Sequence, residues 1–164
     1  MKTDPLANYR ESFRKMIEAD NPEVISNIST EHAIVILQEL IQSAQKSVYI
    51  VSHKLSSDVY KNELLEKIIE NKGNTVQFCI ATRSDFPESQ ECFETLEKGN
   101  KIRYFKVRKN FEEKLFDYCV VDTKRFRLET DPEERKAIVC AYDTEMGQKL
   151  VDLFGTVTEP LVCD

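Results

Sequence analysis

The sequence predicts an α/β fold: a mixed β-sheet of about six strands flanked by helices. Three observations predict it. Short β-prone apolar runs near 47–52, 75–81 and 102–107 are separated by helix-like stretches, the pattern of parallel strands joined by crossover helices. Three further runs, 115–122, 125–130 and 136–142, follow with short or polar connections, which makes them antiparallel additions. An amphipathic helix over 144–155 then closes the pattern.

Each element has its own justification. Residues 5–19 carry Leu6, Tyr9, Phe13, Met16 and Ile17 on one stripe, with Pro5 in the first turn, and Asp20-Asn21-Pro22 breaks the helix. A short linker holding Val24, Ile25 and Ile28 leads to a second helix, roughly 30–45, which Ser29 or Thr30 caps. SVYIVS, Ser47 to Ser52, is apolar enough for a central strand covered on both faces. A third helix, about 58–71, stops at Lys72-Gly73-Asn74, where Gly73 is the expected left-handed residue. After the strand TVQFCIA comes a polar loop, a short helix over 89–98 and the third strand. Lys106 to Lys114 has no regular period and reads as a loop or a short helix. Phe116 to Val121 and Arg125 to Glu129 form a hairpin through Asp122-Thr123-Lys124, a turn in which the Asp bonds its own backbone. Arg125, Arg127 and Glu129 alternate with Phe126 and Leu128 and read as a solvated face. Asp143 or Thr144 caps the last helix, and the tail TVTEPLVCD has no assignment.

Length and composition bound the function. At 164 residues the chain is expected to form one domain with a real core, and 41% hydrophobic with 32% charged residues excludes a disordered chain. A formal charge of −6 disfavours non-specific nucleic-acid binding. The longest apolar run is far too short to span a bilayer, and MKTDPLANYR lacks the apolar core of a signal peptide, so a cytoplasmic location with no membrane partner is expected. Cys79, Cys92, Cys119, Cys140 and Cys163 form no C-x-x-C pair, and the three in strand-like runs read as buried reduced thiols. His32 and His53 have no ligand at metal-binding spacing, so neither metal nor cofactor is expected.

QSAQKSVYIVS, DYCVVDTKRFRLE and AIVCAYDTEMGQKLVDLF resemble, in that order, the first strand, the signature hairpin and the closing strand and helix of a phospholipase D-like half-unit. The resemblance covers roughly 30–158, so residues 1–29 are expected as a helix-and-linker extension to a domain over 30–164. In that family a signature H-x-K-x4-D, followed by a Gly-Ser pair, supplies a nucleophilic His, a Lys for the phosphoryl oxygens and an Asp that orients the imidazole. If Asp122 takes the Asp position, Leu115 stands for the His and Asp117 for the Lys, and the Gly-Ser pair falls near Glu129-Thr130. A leucine is no nucleophile, and a carboxylate repels phosphate. The resemblance therefore implies a non-catalytic binding or regulatory module: an effector-sensing domain, or an accessory protein of a nucleic-acid-processing or defence system. It also implies pairing about a two-fold axis, as a homodimer or with another protein.

The residues leave two other sites to weigh. Ligands of α/β sheets gather at the carboxyl ends of parallel strands, where His53, Lys54, Arg83 and Arg108 would form an anion pocket. The rival function is a diverged phosphodiesterase or nuclease using His53, Lys54 and Arg83. Phe111, Phe116, Tyr118 and Phe126 around the hairpin are candidates for a protein interface.

Overall fold

The computed structural model describes residues 5–27, 29–52, 63–82, 99, 101–113, 115–131, 133–134 and 136–160. The expected helix over 89–98, the start of the helix over 58–71, Cys92, Cys163, and the site residues His53, Lys54 and Arg83 lie outside them. The elements in order are α1 (Pro5–Glu18), β1 (Val24–Asn27), α2 (Thr30–Gln42), β2 (Ser47–Ser52), α3 (Glu63–Lys72), β3 (Gln77–Thr82), β4 (Arg103–Val107), β5 (Tyr118–Val121), β6 (Arg125–Asp131), β7 (Lys136–Cys140), α4 (Thr144–Val157) and β8 (Thr158–Pro160). A single 3-10 turn, Lys109–Phe111, follows β4.

The strands form one eight-stranded sheet in the order β1-β7-β6-β5-β2-β3-β4-β8. β2, β3 and β4 are parallel, as their spacing predicts, and β5, β6 and β7 extend the sheet antiparallel. The fold class is the expected one, with two strands more than expected. The linker Val24–Asn27 pairs with β7, and Thr158–Pro160 of the unassigned tail pairs with β4. Both are too short to show a period of their own, and both form only because a neighbouring strand offers them a ladder.

Each face of the sheet carries its own apolar layer. On one face, Phe13 and Ile17 of α1, Ile36, Leu37, Leu40 and Ile41 of α2, and Ile68 and Ile69 of α3 pack on Val48, Ile50, Phe78 and Ile80. On the other, Leu150 and Phe154 of α4 pack on Val51, Ala81, Tyr118, Val120 and Phe126. Residues 1–29 thus supply buried core through α1 and an edge strand through β1. Polar bonds fasten α1 to α2: Arg10 donates to Glu39 at 3.0 Å and to Gln38 at 2.6 Å, and Arg14 donates to both Glu39 oxygens at 2.8 and 3.0 Å. Burial pushes the Glu39 carboxyl up, but the hydrogen bonds and charges of Arg14 and Arg10 together outweigh it and hold the group below its usual value.

Two glycines differ from the simplest reading. Gly73 does not take the left-handed conformation expected after a helix. It is required by crowding, because a Cβ there would lie 2.8 Å from the Lys101 Cβ. At Gly147, at the end of the first turn of α4, a Cβ would drive into the Thr123 carbonyl, so this glycine lets the helix rest directly on the β5–β6 turn.

Candidate functional site

The registers align a polar row at the carboxyl edge of the parallel strands. Ser52 pairs with Thr82, and Thr82 with Lys106. Val51 pairs with Tyr118, so one step further brings Ser52 abreast of Asp117. The Glu129 amide donates to the Asp117 carbonyl at 2.8 Å, and Ala137 pairs with both Glu129 and Asn27. The row therefore runs Asn27, Ala137, Glu129, Asp117, Ser52, Thr82, Lys106, with neighbours about 4.8 Å apart. The next row inward on the same face is Ile25, Val139, Arg127, Cys119, Ile50, Ile80, Tyr104, apolar apart from the arginine and the Tyr hydroxyl. The face changes from apolar to polar within one such step.

Most of this polar row is buried: Asn27, Glu129, Ser52 and Thr82 are no more than 4% exposed. Arg127 reaches across from the inner row, donating to Asn27 Oδ1 at 2.9 Å and to Glu129 Oε2 at 3.2 Å. Buried charges at this cost persist only when paired and hydrogen-bonded, which is what Arg127 and Glu129 provide for each other. The expected solvated face of β6 is thus core. Arg125, Arg127 and Glu129 are 8%, 4% and 3% exposed, covered from the α1 and α2 side. A signal for this was present in the sequence. The run Tyr118–Val121 is apolar at every position, so it has to be covered on both faces, and its partner strand cannot then present one face to water.

The signature positions split between the two ends of the hairpin. Leu115 packs into the apolar layer under α4, and Phe116 beside it is 58% exposed. Asp117 takes its place in the polar row. Asp122 lies at the other end of β5, five extended residues or about 17 Å away, so it cannot orient a group at position 115 or 117. Its carboxylate is expected to bond its own turn, but the bonds it makes to backbone run elsewhere. It accepts the backbone N–H groups of Gln45, Lys46 and Ser47 at 2.7–3.2 Å, and it lies 3.8 Å from the Arg125 guanidinium. Arg125 in turn donates to Asp20 at 3.0 Å. Asp122 and Thr123 both have positive φ, 53° and 60°, and the Lys124 amide closes the turn on the Val121 carbonyl.

The remaining predicted residues are placed as follows. Arg108 follows β4 at the carboxyl edge, half-exposed and 3.5 Å from Glu159. Tyr118 and Phe126, expected at an interface, are each 2% exposed beneath α4, and the Tyr118 hydroxyl donates to the Leu150 carbonyl at 2.9 Å. They belong to the core because β5 and β6 present these positions to α4. Phe111 is half-buried against the same layer, which leaves Phe116 as the outward-facing aromatic of the four. Cys79, Cys119 and Cys140 are free buried thiols, and burial pushes Cys119 up to about 12. Among the described residues no group of three or more His, Cys, Asp or Glu side chains could hold a metal ion, and no helix is long and apolar enough to cross a membrane.

No protein-family model and no curated protein matches the chain. Solved structures do. TrmBL2, an archaeal chromatin protein whose structure shows a novel mode of DNA binding, aligns at a TM-score of 0.62 with 14% identity over 94% of this chain and 61% of its own. The phosphatidylserine synthase of Haemophilus influenzae aligns at 0.63 with 14% identity, over 93% of this chain and 44% of its own. NucT from Helicobacter pylori aligns at 0.60 with 13% identity, over 85% of this chain and all of its own. The chain thus spans less than two thirds of the first two structures and matches the whole of the third. At such identities the likeness speaks for architecture alone, and the architecture of this chain is a phospholipase D-like α/β unit.

Proposed function

We propose that this domain is a non-catalytic phospholipase D-like binding module, an accessory protein that works by holding a protein partner. One observation carries the reading. Where the family's chemistry needs a nucleophilic imidazole and a cation for the phosphoryl oxygens, this chain has Leu115 packed into an apolar layer and Asp117 in a row that already contains Glu129. A phosphodiester entering there would meet the Asp117 carboxylate, and neither position 115 nor position 117 offers a nucleophile.

The neighbours supply context. TrmBL2 is an archaeal chromatin protein that binds DNA, and NucT and the synthase share the architecture. An accessory role in a nucleic-acid-processing or defence assembly suits that company. With a formal charge of −6, this chain suits protein contact better than contact with a phosphate backbone. Phe116, large, aromatic and outward-facing beside Asp117, supplies the kind of anchor that protein interfaces use.

The test is turnover. Purified protein is incubated with a chromogenic phosphodiester and with single- and double-stranded nucleic acid, with and without divalent metal. No hydrolysis above the buffer rate is expected. Hydrolysis that His53→Ala abolishes and Asp122→Asn spares would overturn this reading in favour of a diverged phosphodiesterase using His53, Lys54 and Arg83.

A further inference from the structure

α1 is buried unevenly. Phe13 and Ile17 sit in the core, whereas Leu6 and Ala7, about two turns earlier, do not. Between this first half of α1, α2 and the start of α3 lies a groove of about 630 Å³. That volume falls within the roughly 300–1,000 Å³ of small-molecule sites. Leu6, Ala7, Ile34, Val35 and Leu64 make its apolar lining. Val35 is buried, but Leu64 is left 49% exposed. A leucine so open gains cover when an apolar group fills the groove beside it. The groove also has a cationic side. Arg10 and Arg14 line it, and both bond to Glu39, which is 5% exposed. Two guanidinium groups share one ionised carboxylate, which leaves a positive charge over. Each has N–H donors beyond the bonds it makes to Glu39 and Gln38. Glu39 thus fixes both arginines without neutralising both. Glu11 and Glu31 line the groove as well, and both are exposed. Lys15 lies 4.0 Å from Glu11, and Glu31 stands in the first turn of α2, where the helix dipole offsets its charge.

We infer that this groove binds a small organic carboxylate with an apolar chain, its carboxylate on Arg10 and Arg14 and its chain against Ile34 and Leu64. Arg14 already receives one carboxylate, that of Glu39, through two N–H groups. The ligand's carboxylate meets the same charge-assisted donors. The lining positions from Leu6 to Arg14 span about 12 Å along α1, room for a chain of several methylenes. The apolar lining excludes a bare anion as the best ligand, and the arginine pair excludes a neutral hydrocarbon, because its donors would then lose water without gaining an acceptor. None of the lining residues belongs to the polar row or to the β5–β6 hairpin. The site is therefore additional to the partner-binding role proposed above and does not depend on it.

Isothermal titration calorimetry of the full chain with octanoate tests it. One site is expected, with a dissociation constant on the order of 100 μM. Acetate, which lacks the chain, and 1-octanol, which lacks the charge, should each bind about tenfold more weakly or worse. Ala7→Glu and Leu64→Glu place a carboxylate at exposed positions of the groove, so the chain should stay folded, which circular dichroism checks. Each should weaken octanoate about tenfold or more, by like-charge repulsion and lost apolar contact. Lys149→Gln removes an exposed cation of α4, away from the groove, and should bind octanoate as the wild type does. Octanoate that fails to saturate the wild type by about 5 mM overturns the inference. So does 1-octanol binding as tightly as octanoate, or a folded Ala7→Glu or Leu64→Glu variant with unchanged affinity. Loss of binding in Lys149→Gln would place the carboxylate on α4 and also overturn it. These results leave the turnover test untouched, and the converse also holds.

Discussion

At its turn end the β5–β6 hairpin is fixed by a buried carboxylate: Asp122 gathers three amides from residues 45–47, and α4 rests on the turn through Gly147. At its open end the same hairpin offers Leu115, an exposed Phe116 and Asp117. The two ends share one pair of strands and one register, yet only one of them resembles the family's signature at the level of the residue. The difference teaches what an Asp in that signature position can do. In this chain it does no work at the carboxyl edge. It locks the start of β2 to the hairpin, and through Arg125 and Asp20 it ties in the end of α1.

The largest expected effect is therefore at the turn. Asp122→Ala leaves three amides without their acceptor and removes the carboxylate that faces the Arg125 guanidinium, which keeps only its bonds to Asp20 and the Ile17 carbonyl, in a site where the Asp side chain is 6% exposed. Breaking a buried charged network of this kind costs about 3 kcal/mol or more. Urea unfolding followed by circular dichroism measures it, and a loss below about 1 kcal/mol would show that water replaces the carboxylate. Gly147→Ala pushes a methyl group into the Thr123 carbonyl and should cost about 2 kcal/mol by overpacking, with the same readout.

Sequence reasoning reached the turn and the sheet more easily than the site. The strands β2 to β7 are legible because each is apolar or alternating over enough residues to show a period. β1 and β8 are not, because VISN and TEP carry too little pattern to stand apart from a loop. Missing β1 hid the polar row. Without β1 there is no Asn27 for Arg127 to bond, and Arg127 and Glu129 then read as a solvated face. Asp122 was legible as a turn residue, but its partners lie 75–77 positions earlier, and no local rule brings residues that distant together.

The middle of the hairpin joins the two ends, and its response to pH is of intermediate size. Burial holds the Cys119 thiol up at about 12 in the folded chain, against an ordinary value of 9.0. The folded state therefore keeps this proton where the unfolded chain loses it. The stability linked to it is complete below pH 9 and declines as pH rises toward 12. Unfolding free energy should fall by about 1 kcal/mol over the first pH unit above 9 and somewhat faster over the next. Burial also raises Cys79, Cys140, Tyr9, Tyr49 and Tyr118, which adds to the decline with the same sign. Denaturant melts at stepped pH, on the wild type and on Cys119→Val, separate the share of Cys119. A Cys119→Val slope equal to the wild-type slope would remove that thiol from the account.

The smallest effect on stability should come from the open end, and there the comparison is sharpest. Phe116 is 58% exposed, so replacing it uncovers little that was buried. Surface substitutions away from caps, cavities and buried networks fall within about 0.5 kcal/mol of zero. Phe116→Asp should stay inside that window in the same urea experiment that registers Asp122→Ala at several times the size. An isolated monomer gains nothing by presenting a phenyl ring to water, whereas a partner's surface gains a large apolar contact from it. The substitution is thus close to silent for the fold and should be costly for binding, the reverse of Asp122→Asn, which weakens the turn and leaves the outward ring in place. Captured partner complexes, titrated with both variants after each is shown to be folded, should lose affinity with Phe116→Asp alone. Equal affinities would move the working surface away from the carboxyl edge, and a stability loss above about 1 kcal/mol would mean that Phe116 packs as core.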